Sequence, residues 1–575
     1  MSNVIDDIAN PGEAVENLLK AIGILATEEV NRGGCDTLSC IGKTILENIN
    51  SGKFKRNVTP WKSPNRGATS FGLNFHEERD KCLKEKRLFE DPEFPACDKS
   101  LYYKNRPKEK VVWKRPSEIV DNPHLFVAGN SLSDAVQGSL SNCWFPSSIA
   151  LLSLREELLA RVVPLDQSFT ENYAGIFHFQ FWRYGEWIDI VIDDLLPAVV
   201  KSSGRTELLY MHSATNNEFW TALLEKAFAK LYGCYENLEW GLMTEALEDC
   251  TGGLTQILTP KETDGQTLLT ILERGTIMGS LFGCLFPPPS NGILGKAGPK
   301  GLVGVHAYSI TKLMKVKTKS GEQVLVRLRN PWGHTEWNGA WADGDRKWKE
   351  CEVSEELISR HAPINNDGEF WMPFEDLLRE YWRVEVCDIS AEVMSEIYQM
   401  TGTVSPICGE KTWKEVQIHG SWSLEENTAG GGPEYPRTYS LNPQFGARFT
   451  VTNDCVENDG KCNIIVAVLQ KYRRELRIED NVEPHGSDFP AIGLSVYRAL
   501  SNSSGAQDEQ FFRSNRAVAT TPGCLKQREV LVRLRIEPGD FIIVPCTESP
   551  NFEADFMVRI FVDGKVDAKR LPVNH

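Results

Sequence analysis

The stretch QGSLSNCW, residues 137–144, decides how the chain is interpreted, because it leads directly into a helical pattern that starts at Ser147. A cysteine at the N-terminus of a helix lies among unpaired backbone N–H groups and at the positive end of the helix dipole. Both features lower the pKa of the Cys143 thiol and favour the nucleophilic thiolate. Pro146 supports a helix start here, since the first turn tolerates a missing N–H. A lone cysteine also serves as inert core filler, so Cys143 needs partners before catalysis is assigned.

Two candidate partners follow in the order that a cysteine nucleophile requires. His306 lies 163 positions after Cys143 (306 − 143), and Asn330 lies 187 positions after it (330 − 143). This order and these gaps are typical of the papain-like plan, in which an imidazole and the group that orients it come from the opposite lobe of a cleft. Gln137, six residues before the cysteine, is placed to donate its amide to an oxyanion together with the Cys143 N–H. Taken singly, a core histidine and an asparagine that opens a turn are the alternatives.

Composition and charge exclude several classes of protein. The chain has 575 residues, with 63 Lys and Arg against 79 Asp and Glu, a net charge of −16 that disfavours nucleic acid as a partner. There is no run of 18 apolar residues and no basic-then-apolar N-terminus, so we expect a soluble, cytoplasmic protein. An odd total of 15 cysteines, spread over the whole chain, indicates reduced thiols rather than a disulfide framework.

Hydrophobic periodicity predicts an α+β arrangement followed by an all-β sandwich. Helical spacing occurs over residues 147–162 and 218–231, and alternation over 176–192 predicts a hairpin that turns at Tyr184-Gly185. From about residue 410, short alternating segments replace helical ones. We predict a poorly ordered leader at 1–80, two lobes at 81–245 and 246–395, a sandwich at 400–568 and a tail at 569–575.

Six motifs in the first two thirds of the chain resemble the calpain family. They are LFEDPEFPA (88–96), QGSLSNCW (137–144), NEFWTALLEKAFAK (217–230), HAYSI (306–310), RLRNPWGHTEWNGAW (327–341) and DGEFWMPF (367–374). A second block, which includes GSW (420–422), TAGG (428–431) and NPQF (442–445), is similar to the C2-like β-sandwich that follows the calpain protease core. The resemblance spans about 480 residues. It implies a two-lobed papain-like core with a C2-like sandwich behind it.

The resemblance also implies an activity and a set of site residues. It implies a calcium-activated cytosolic cysteine endopeptidase that makes limited cuts in proteins, with Cys143 as nucleophile, His306 as general base and acid, and Asn330 orienting the ring. Gln137 corresponds to the oxyanion donor. Calpain cores bind one calcium ion in each lobe, two in all, and the matching positions in the first lobe are Val127, Gly129, Asp134 and Glu218. Those in the second lobe are Glu336, Asp343, Asn365, Asp367 and Glu369.

The residue types agree with calcium, although each has an ordinary alternative. Calcium takes six to eight oxygen ligands, several of them carboxylates, and each set mixes acids with loop carbonyls. Glu218 at the start of a helix could instead cap it, and Asp367-Gly368-Glu369 could be a turn before a strand. Trp332 matches the family residue that lies as a wedge between the lobes of the inactive state, and aromatic packing is its alternative.

Three positions depart from the usual calpain pattern. Calpains have Gly, Asp and Gly where this chain has Ser141, Asn142 and Val305, and a glycine there can supply a backbone angle that other residues reach only with strain. The rival hypothesis is therefore a catalytically silent, calcium-binding scaffold. No EF-hand loop pattern is complete, so we expect no pairing with an EF-hand small subunit and a shortened plan like that of some arthropod calpains, including a crustacean muscle form. The sandwich is also a candidate for calcium-dependent phospholipid contact.

Overall fold

The computed structural model describes residues 58–60, 72–127, 135–153, 155–287, 297–304, 306–319, 321–330, 334–351, 368–401, 411–471, 490–500 and 505–572. Within these ranges helices and strands are mixed up to residue 401, and strands dominate from residue 414 onward. None of the helices in the described ranges has the length and hydropathy needed to cross a membrane.

The helices and strands of the described part are numbered in chain order, and their bounds are given below. The α-helices are α1 (Phe75–Glu85), α2 (Asp98–Leu101), α3 (Pro116–Ile119), α4 (Trp144–Ser153), α5 (Glu156–Val162), α6 (Trp220–Leu231), α7 (Met243–Thr251), α8 (Gly265–Ile277), α9 (Phe374–Glu380), α10 (Ala391–Thr401) and α11 (Glu509–Ser514). The first strands are β1 (Thr59–Pro60), β2 (Val111–Lys114), β3 (Ala135–Val136), β4 (Ile176–Arg183), β5 (Glu186–Asp193), β6 (Leu196–Val200), β7 (Thr206–Leu208), β8 (His212–Ser213), β9 (Leu254–Leu258), β10 (Leu281–Phe286), β11 (His306–Thr318) and β12 (Gly321–Arg329). The remaining strands are β13 (Glu369–Pro373), β14 (Arg383–Asp388), β15 (Lys414–Trp422), β16 (Phe445–Thr450), β17 (Cys462–Gln470), β18 (Ile492–Arg498), β19 (Ala519–Thr520), β20 (Glu529–Ile536), β21 (Gly539–Thr547), β22 (Ala554–Val562) and β23 (Lys565–Arg570).

Helix α6 is the centre of the first part of the chain. All twelve of its residues are buried, so the helix is covered on every side. Its charged residues keep partners in the interior: Lys226 donates to Asp193, and the Nζ atom of Lys230 lies 2.8 Å from a carboxylate oxygen of Asp91. Helix α6 therefore lies in the interior of this part of the chain.

The hairpin predicted at Tyr184-Gly185 is confirmed. Strands β4 and β5 pair antiparallel, with Arg183 opposite Glu186. The two turn residues have φ angles of 51° and 96°, and two positive φ angles are the signature of the tight turn that matches the twist of a hairpin. The helical segments were less well bounded, since the pattern over 147–162 divides into α4 and α5, and Glu218 precedes α6 by two residues.

A six-stranded antiparallel sheet organises the second part of the chain, in the order β13-β12-β11-β10-β14-β9. His306 is the first residue of β11, and Asn330 follows the last residue of β12. Because β11 and β12 pair antiparallel, with Ser309 opposite Arg329, the start of one and the end of the other lie at the same edge of the sheet. The topology thus brings the predicted histidine and asparagine together.

Two facing sheets form the β-sandwich after residue 411. One has the order β15-β22-β17-β20 and the other β19-β18-β21-β16-β23, with a shared hydrophobic core between them. All residues of β17 are buried, in place of the alternation expected for a strand with one wet face. On one face, Ile464, Val466 and Val468 lie in the sandwich core. On the other face, Ile465 and Ala467 pack with Leu254 and Met278 of the preceding part. The predicted combination of an α+β part and a β-sandwich is confirmed.

Arginines of the sandwich bind the preceding part of the chain. Arg559 is fully buried, donates to the carbonyl oxygens of Gly252 and Gly253, and stacks over the Trp182 ring at 4.6 Å. Arg528 lies 2.8 Å from the Glu248 carboxylate. The sandwich is therefore attached through desolvated charges as well as through apolar contacts.

Several predicted domain boundaries fall inside regular elements. The boundary at residue 80 lies within α1, so residues 75–80 belong with that helix rather than with the leader. The boundary between residues 245 and 246 lies within α7, and β23 extends to Arg570, beyond the predicted limit of 568. Sequence patterns place boundaries only to within a few residues, and the division into domains stays a prediction.

Candidate active site

Cys143 lies immediately before the first residue of α4, as the sequence predicts for a helix N-terminus. The backbone N–H groups of Trp144 and of Cys143 itself donate to its sulfur and lower the thiol pKa. Burial acts in the opposite direction and outweighs them, with a further contribution from the charge of Glu385, so the pKa of Cys143 is raised above its usual value of 9. The expectation of a lowered pKa is therefore wrong for this arrangement, because the desolvation of the thiolate exceeds the stabilisation by the helix end.

The turn before Cys143 depends on a close approach to another segment. A side-chain carbon on Gly138 would lie 2.3 Å from the carbonyl oxygen of Tyr210, so only glycine fits there. The N–H of Ser139 donates to Leu209 O at 3.0 Å and fixes the same approach. The Nε2 atom of Gln137 donates to the carbonyl oxygen of Leu140 at 2.7 Å, which keeps the amide in the loop that leads to the cysteine.

His306 and Asn330 are hydrogen-bonded to one another at the edge of the six-stranded sheet. The His306 Nε2 atom lies 2.9 Å from Asn330 Oδ1, and both residues are buried. The Asn330 Nδ2 group donates to the carbonyl oxygens of His334 and Thr335, at 2.7 and 3.0 Å, which fixes the orientation of the amide. Its oxygen must then accept from Nε2–H, so Nδ1 is the ring nitrogen left to exchange a proton.

Burial keeps the imidazole of His306 neutral. It lowers the pKa of His306 to about 4, although the hydrogen bond with Asn330 acts to raise it. A neutral imidazole and a neutral thiol are thus the favoured forms at pH 7 in this arrangement. Ionisation of the pair requires a change in the surroundings of both groups.

The elements that hold the two groups are in contact. Helix α4, which begins directly after Cys143, packs against β10 and β11, and β11 begins with His306. The charge of Glu385, on β14 of the same sheet, acts on the pKa of Cys143. The structure therefore brings the cysteine segment to the sheet that presents the histidine and the asparagine.

The departures from the calpain pattern have a structural explanation at two of the three positions. Ser141 is exposed and is not among the described residues with positive φ, so the strain expected there is absent. Asn142 is buried and donates its amide to Glu225 Oε1 at 2.7 Å. An aspartate at 142 would bring two carboxylates together, whereas asparagine supplies a donor. Val305 lies outside the described residues.

Glu225 and Glu385 are site residues that the sequence analysis missed. Burial raises the pKa of each carboxyl to about 7. Glu225 accepts from Asn142 and so ties the loop before Cys143 to helix α6. It also accepts from the N–H of Met211 at 2.8 Å, which ties that segment to the same helix. From the sequence alone, both glutamates would be taken for ordinary solvent-exposed acids. Their burial results from tertiary packing, which the sequence pattern does not show.

Comparison with known proteins decides the family. The family model for calpain family cysteine proteases matches residues 89–388, more than half of the chain, and the model for domain III of the calpain large subunit matches residues 418–561.

The chain belongs to the calpain family.

It is 46% identical to calpain clp-4 of Caenorhabditis elegans over 88% of this chain and 69% of that protein. It is 44% identical to calpain clp-1 of the same organism, over 99% of this chain and 74% of the relative. The calpain-2 catalytic subunit of Bos taurus is 40% identical, over 85% of this chain and 68% of the bovine protein. The resemblance seen in the sequence motifs is confirmed, and the arthropod affinity stays a prediction.

Membership makes this a calpain-type cysteine endopeptidase, a hydrolase of a calcium-dependent family. The first predicted calcium set of this calpain is described in part. Glu218 is buried, and its Oε1 atom accepts the N–H of Val127 at 2.8 Å, so two of the four predicted residues are adjacent. Gly129 and Asp134 lie outside the described residues. The donors are carboxylate and carbonyl oxygens, the chemistry that calcium requires.

Two residues of the second predicted set, Glu336 and Glu369, lie beside Gly368. Glu336 Oε1 accepts the N–H of Gly368 at 2.8 Å, and Glu369 follows at the start of β13. The Glu369 carboxylate lies 3.4 Å from Arg327. Asp343 lies in the turn that the N–H of Asp345 closes on Ala342 O at 3.0 Å. Asn365 and Asp367 lie outside the described residues. The described acids supply carboxylate oxygens, the ligand type that calcium prefers.

Proposed function

We propose that this chain cleaves proteins through Cys143, His306 and Asn330, under the control of calcium. The observation that carries the proposal is the hydrogen bond of 2.9 Å between His306 and Asn330, on a sheet that packs against the helix of Cys143. An imidazole held by an amide is the arrangement that lets a thiol be deprotonated and then reprotonates the leaving amine. A silent scaffold has no physical need for this bond.

In the proposed reaction, His306 Nδ1 takes the proton of the Cys143 thiol, and the sulfur attacks the carbonyl carbon of the substrate peptide bond. The imidazolium then returns the proton to the departing amine, and water releases the acyl group by the reverse proton transfers. Asn330 holds the ring throughout by accepting from Nε2–H. The Cys143 N–H and the amide of Gln137, once released from Leu140 O, would stabilise the oxyanion.

The neutral state of the pair gives calcium control a physical basis. Ionisation is disfavoured while both groups are desolvated in the present arrangement. Bound calcium would neutralise the acids of the two sets, one ion in each, and thereby favour a second arrangement of the protease lobes. The residues that would hold the ions are Val127, Gly129, Asp134, Glu218, Glu336, Asp343, Asn365, Asp367 and Glu369.

The test is covalent labelling of the nucleophile. Purified chain is incubated with an irreversible thiol-reactive peptide inhibitor, with and without millimolar calcium, and the mass added to the Cys143 peptide is measured. We expect labelling that depends on calcium, together with casein cleavage that Cys143→Ser abolishes. Cleavage by the Cys143→Ser variant would contradict the assignment. Asp343→Ala should raise the calcium concentration at half-maximal activity, and an unchanged titration would remove that residue from the calcium set.

Cytoplasmic location, protein substrates and calcium-dependent contact of the C2-like sandwich with phospholipid belong to the same proposal. They are supported by family membership. Sedimentation of the chain with phosphatidylserine vesicles, with and without calcium, tests the lipid contact. Equal pelleting under both conditions would refute it.

A further inference from the structure

Two cysteines of the β-sandwich approach each other on the outer face of one of its sheets. Cys546 lies on β21, where Ile542, Val544 and Cys546 belong to a cluster distinct from the core between the two sheets. Cys524 lies in the connection between β19 and β20 and packs against that same cluster. The two thiols are 22 positions apart in sequence (546 − 524), and the packing of the sheet makes them neighbours.

A glycine opposite Cys546 provides the space in which the two sulfurs meet. Gly493 of β18 pairs with Cys546 in the antiparallel register, so a side chain at position 493 would lie on the same face of the sheet, beside Cys546. A Cβ atom at that position would lie 3.0 Å from Cys524 Sγ. The Cys524 sulfur thus takes the place of the side chain that Gly493 lacks, and the Cys546 thiol donates a hydrogen bond to it.

Backbone hydrogen bonds on either side of Cys524 fix its position over the sheet. Before it, the N–H of Thr521 donates to Leu494 O at 3.0 Å. After it, the N–H of Leu525 donates to Ile492 O at 2.8 Å, and the N–H of Ile492 donates to Leu525 O at 3.0 Å. The short segment that carries Cys524 is therefore held to β18 at both ends, and the contact between the sulfurs follows from the pairing of the sheet.

The two sulfurs differ in their access to solvent. Cys524 is half-buried, whereas Cys546 is 2% exposed. A small oxidant that arrives from solvent therefore reaches Cys524 first, and Cys546 is the neighbour already in contact with it. This arrangement is typical of a redox-active pair, in which an accessible thiol is oxidised and an adjacent thiol resolves the product. The hydrogen bond from Cys546 supports the same order, because it lowers the pKa of Cys524.

We infer that Cys524 and Cys546 form a reversible disulfide when the chain meets hydrogen peroxide. In the first step the Cys524 sulfur attacks one peroxide oxygen and the O–O bond breaks. Cys524 becomes a sulfenic acid, and the departing oxygen takes up the thiol proton and leaves as water. In the second step the Cys546 sulfur attacks the Cys524 sulfur, an S–S bond replaces the S–O bond, and the hydroxide leaves with the Cys546 proton as a second water. The two sulfurs lose two electrons to the peroxide, and a dithiol reductant reverses the reaction. This inference is independent of the proposed endopeptidase function.

The experiment treats the full chain with hydrogen peroxide, blocks the remaining thiols with iodoacetamide and maps linked peptides by mass spectrometry without reduction. We expect a peptide pair that joins Cys524 to Cys546, lighter by two hydrogens than its separate parts, and its loss after dithiothreitol. Cys455 and Cys462 are the matched control, because their sulfurs also lie within 4.8 Å of one another but both residues are buried. That pair should stay unoxidised. Equal oxidation of the two pairs, or no link between Cys524 and Cys546, would overturn the inference.

Two serine variants separate the two steps. Cys546→Ser keeps the first step and loses the second, so the sulfenic acid should accumulate and dimedone should label Cys524 at least about fivefold more than in wild type. In Cys524→Ser, Cys546 should carry neither a disulfide nor a dimedone adduct, because peroxide does not reach it. Cys97, an exposed thiol, is the reference for the reagents and should label equally in all three chains. Labelling of Cys524 that is no higher in Cys546→Ser than in wild type would show that Cys546 does not resolve it, and would overturn the pairing.

Discussion

The pH dependence of Cys143 alkylation gives a direct test of calcium control. In the present arrangement burial lowers the pKa of His306 from 6.5 to about 4, which disfavours the imidazolium by about 3 kcal/mol. The pKa of Cys143 is raised above 9 by burial. Without calcium the thiol should therefore react as a single weak acid, and its rate should fall about tenfold for each pH unit below its pKa. Between pH 8 and pH 6 the expected decrease is about 100-fold.

Calcium should change the shape of this profile rather than its height. Once Cys143 and His306 form an ion pair, thiolate persists at neutral pH, and the rate should vary by less than about threefold between pH 6 and pH 8. A lower thiol pKa also lowers intrinsic nucleophilicity, so the absolute rate at a single pH is a poor measure. The shape of the profile avoids this difficulty because it reports the protonation equilibrium alone.

The assay is iodoacetamide alkylation, stopped at intervals and measured by mass spectrometry on the Cys143 peptide. Cys97, which is exposed, serves as the internal reference for reagent and pH, and its profile should not respond to calcium. A calcium-free profile that is already flat between pH 6 and pH 8 would refute the reasoning, because it would require a preformed ion pair. A profile that calcium leaves unchanged would refute the coupling of ionisation to ion binding.

Three further predictions follow from single contacts. Asn330→Ala should lower kcat at least tenfold with little change in KM, because the imidazole loses the amide that orients it; steady-state peptide cleavage measures both constants. Arg559→Ala should destabilise the fold by about 3–5 kcal/mol in urea titrations, because Glu529 stays buried near the lost cation. Arg448→Ala removes an exposed ion pair and should leave the urea midpoint unchanged. Burial alone would lower the pKa of His178, but two carboxylates raise it to about 9. Its contribution, about 3 kcal/mol, is therefore present below pH 6.5 and lost as pH rises toward 9, and the stability difference between wild type and His178→Gln should shrink over that range.

The features that sequence predicted well depend on local chemistry or on sheet topology. The Tyr184-Gly185 turn follows from two residues and the alternation around them, and it was located correctly. His306 and Asn330 are 24 residues apart, yet one begins a strand and the other follows its antiparallel partner, so pairing alone brings them together. Strand periodicity was sufficient to anticipate the sheets of the sandwich.

The features that could not be predicted from the sequence are those that depend on which side chains are buried in the folded chain. Burial raises the pKa of Cys143 and outweighs the helix end, which acts to lower it as its position predicts. The extent of burial depends on tertiary packing, which the local sequence does not show. Glu225 becomes a partner of Asn142 only because every face of α6 is covered. Strand β17 is apolar on both faces because its second face packs against the preceding part of the chain. The strand pattern alone does not reveal that contact.

The location of these buried charges indicates where control of a calpain-type site acts. The thiolate of Cys143 is opposed by desolvation, which depends on how closely the surrounding segments approach, and by Glu385, which lies on the sheet that carries His306. Any movement of that sheet relative to α4 therefore changes the ionisation of the nucleophile as well as its distance from the base. A ligand that favours one placement of the sheet alters both quantities together. Regulation by ion binding at loops of either part thus needs no contact with the sulfur, since the electrostatic environment of Cys143 is built from both.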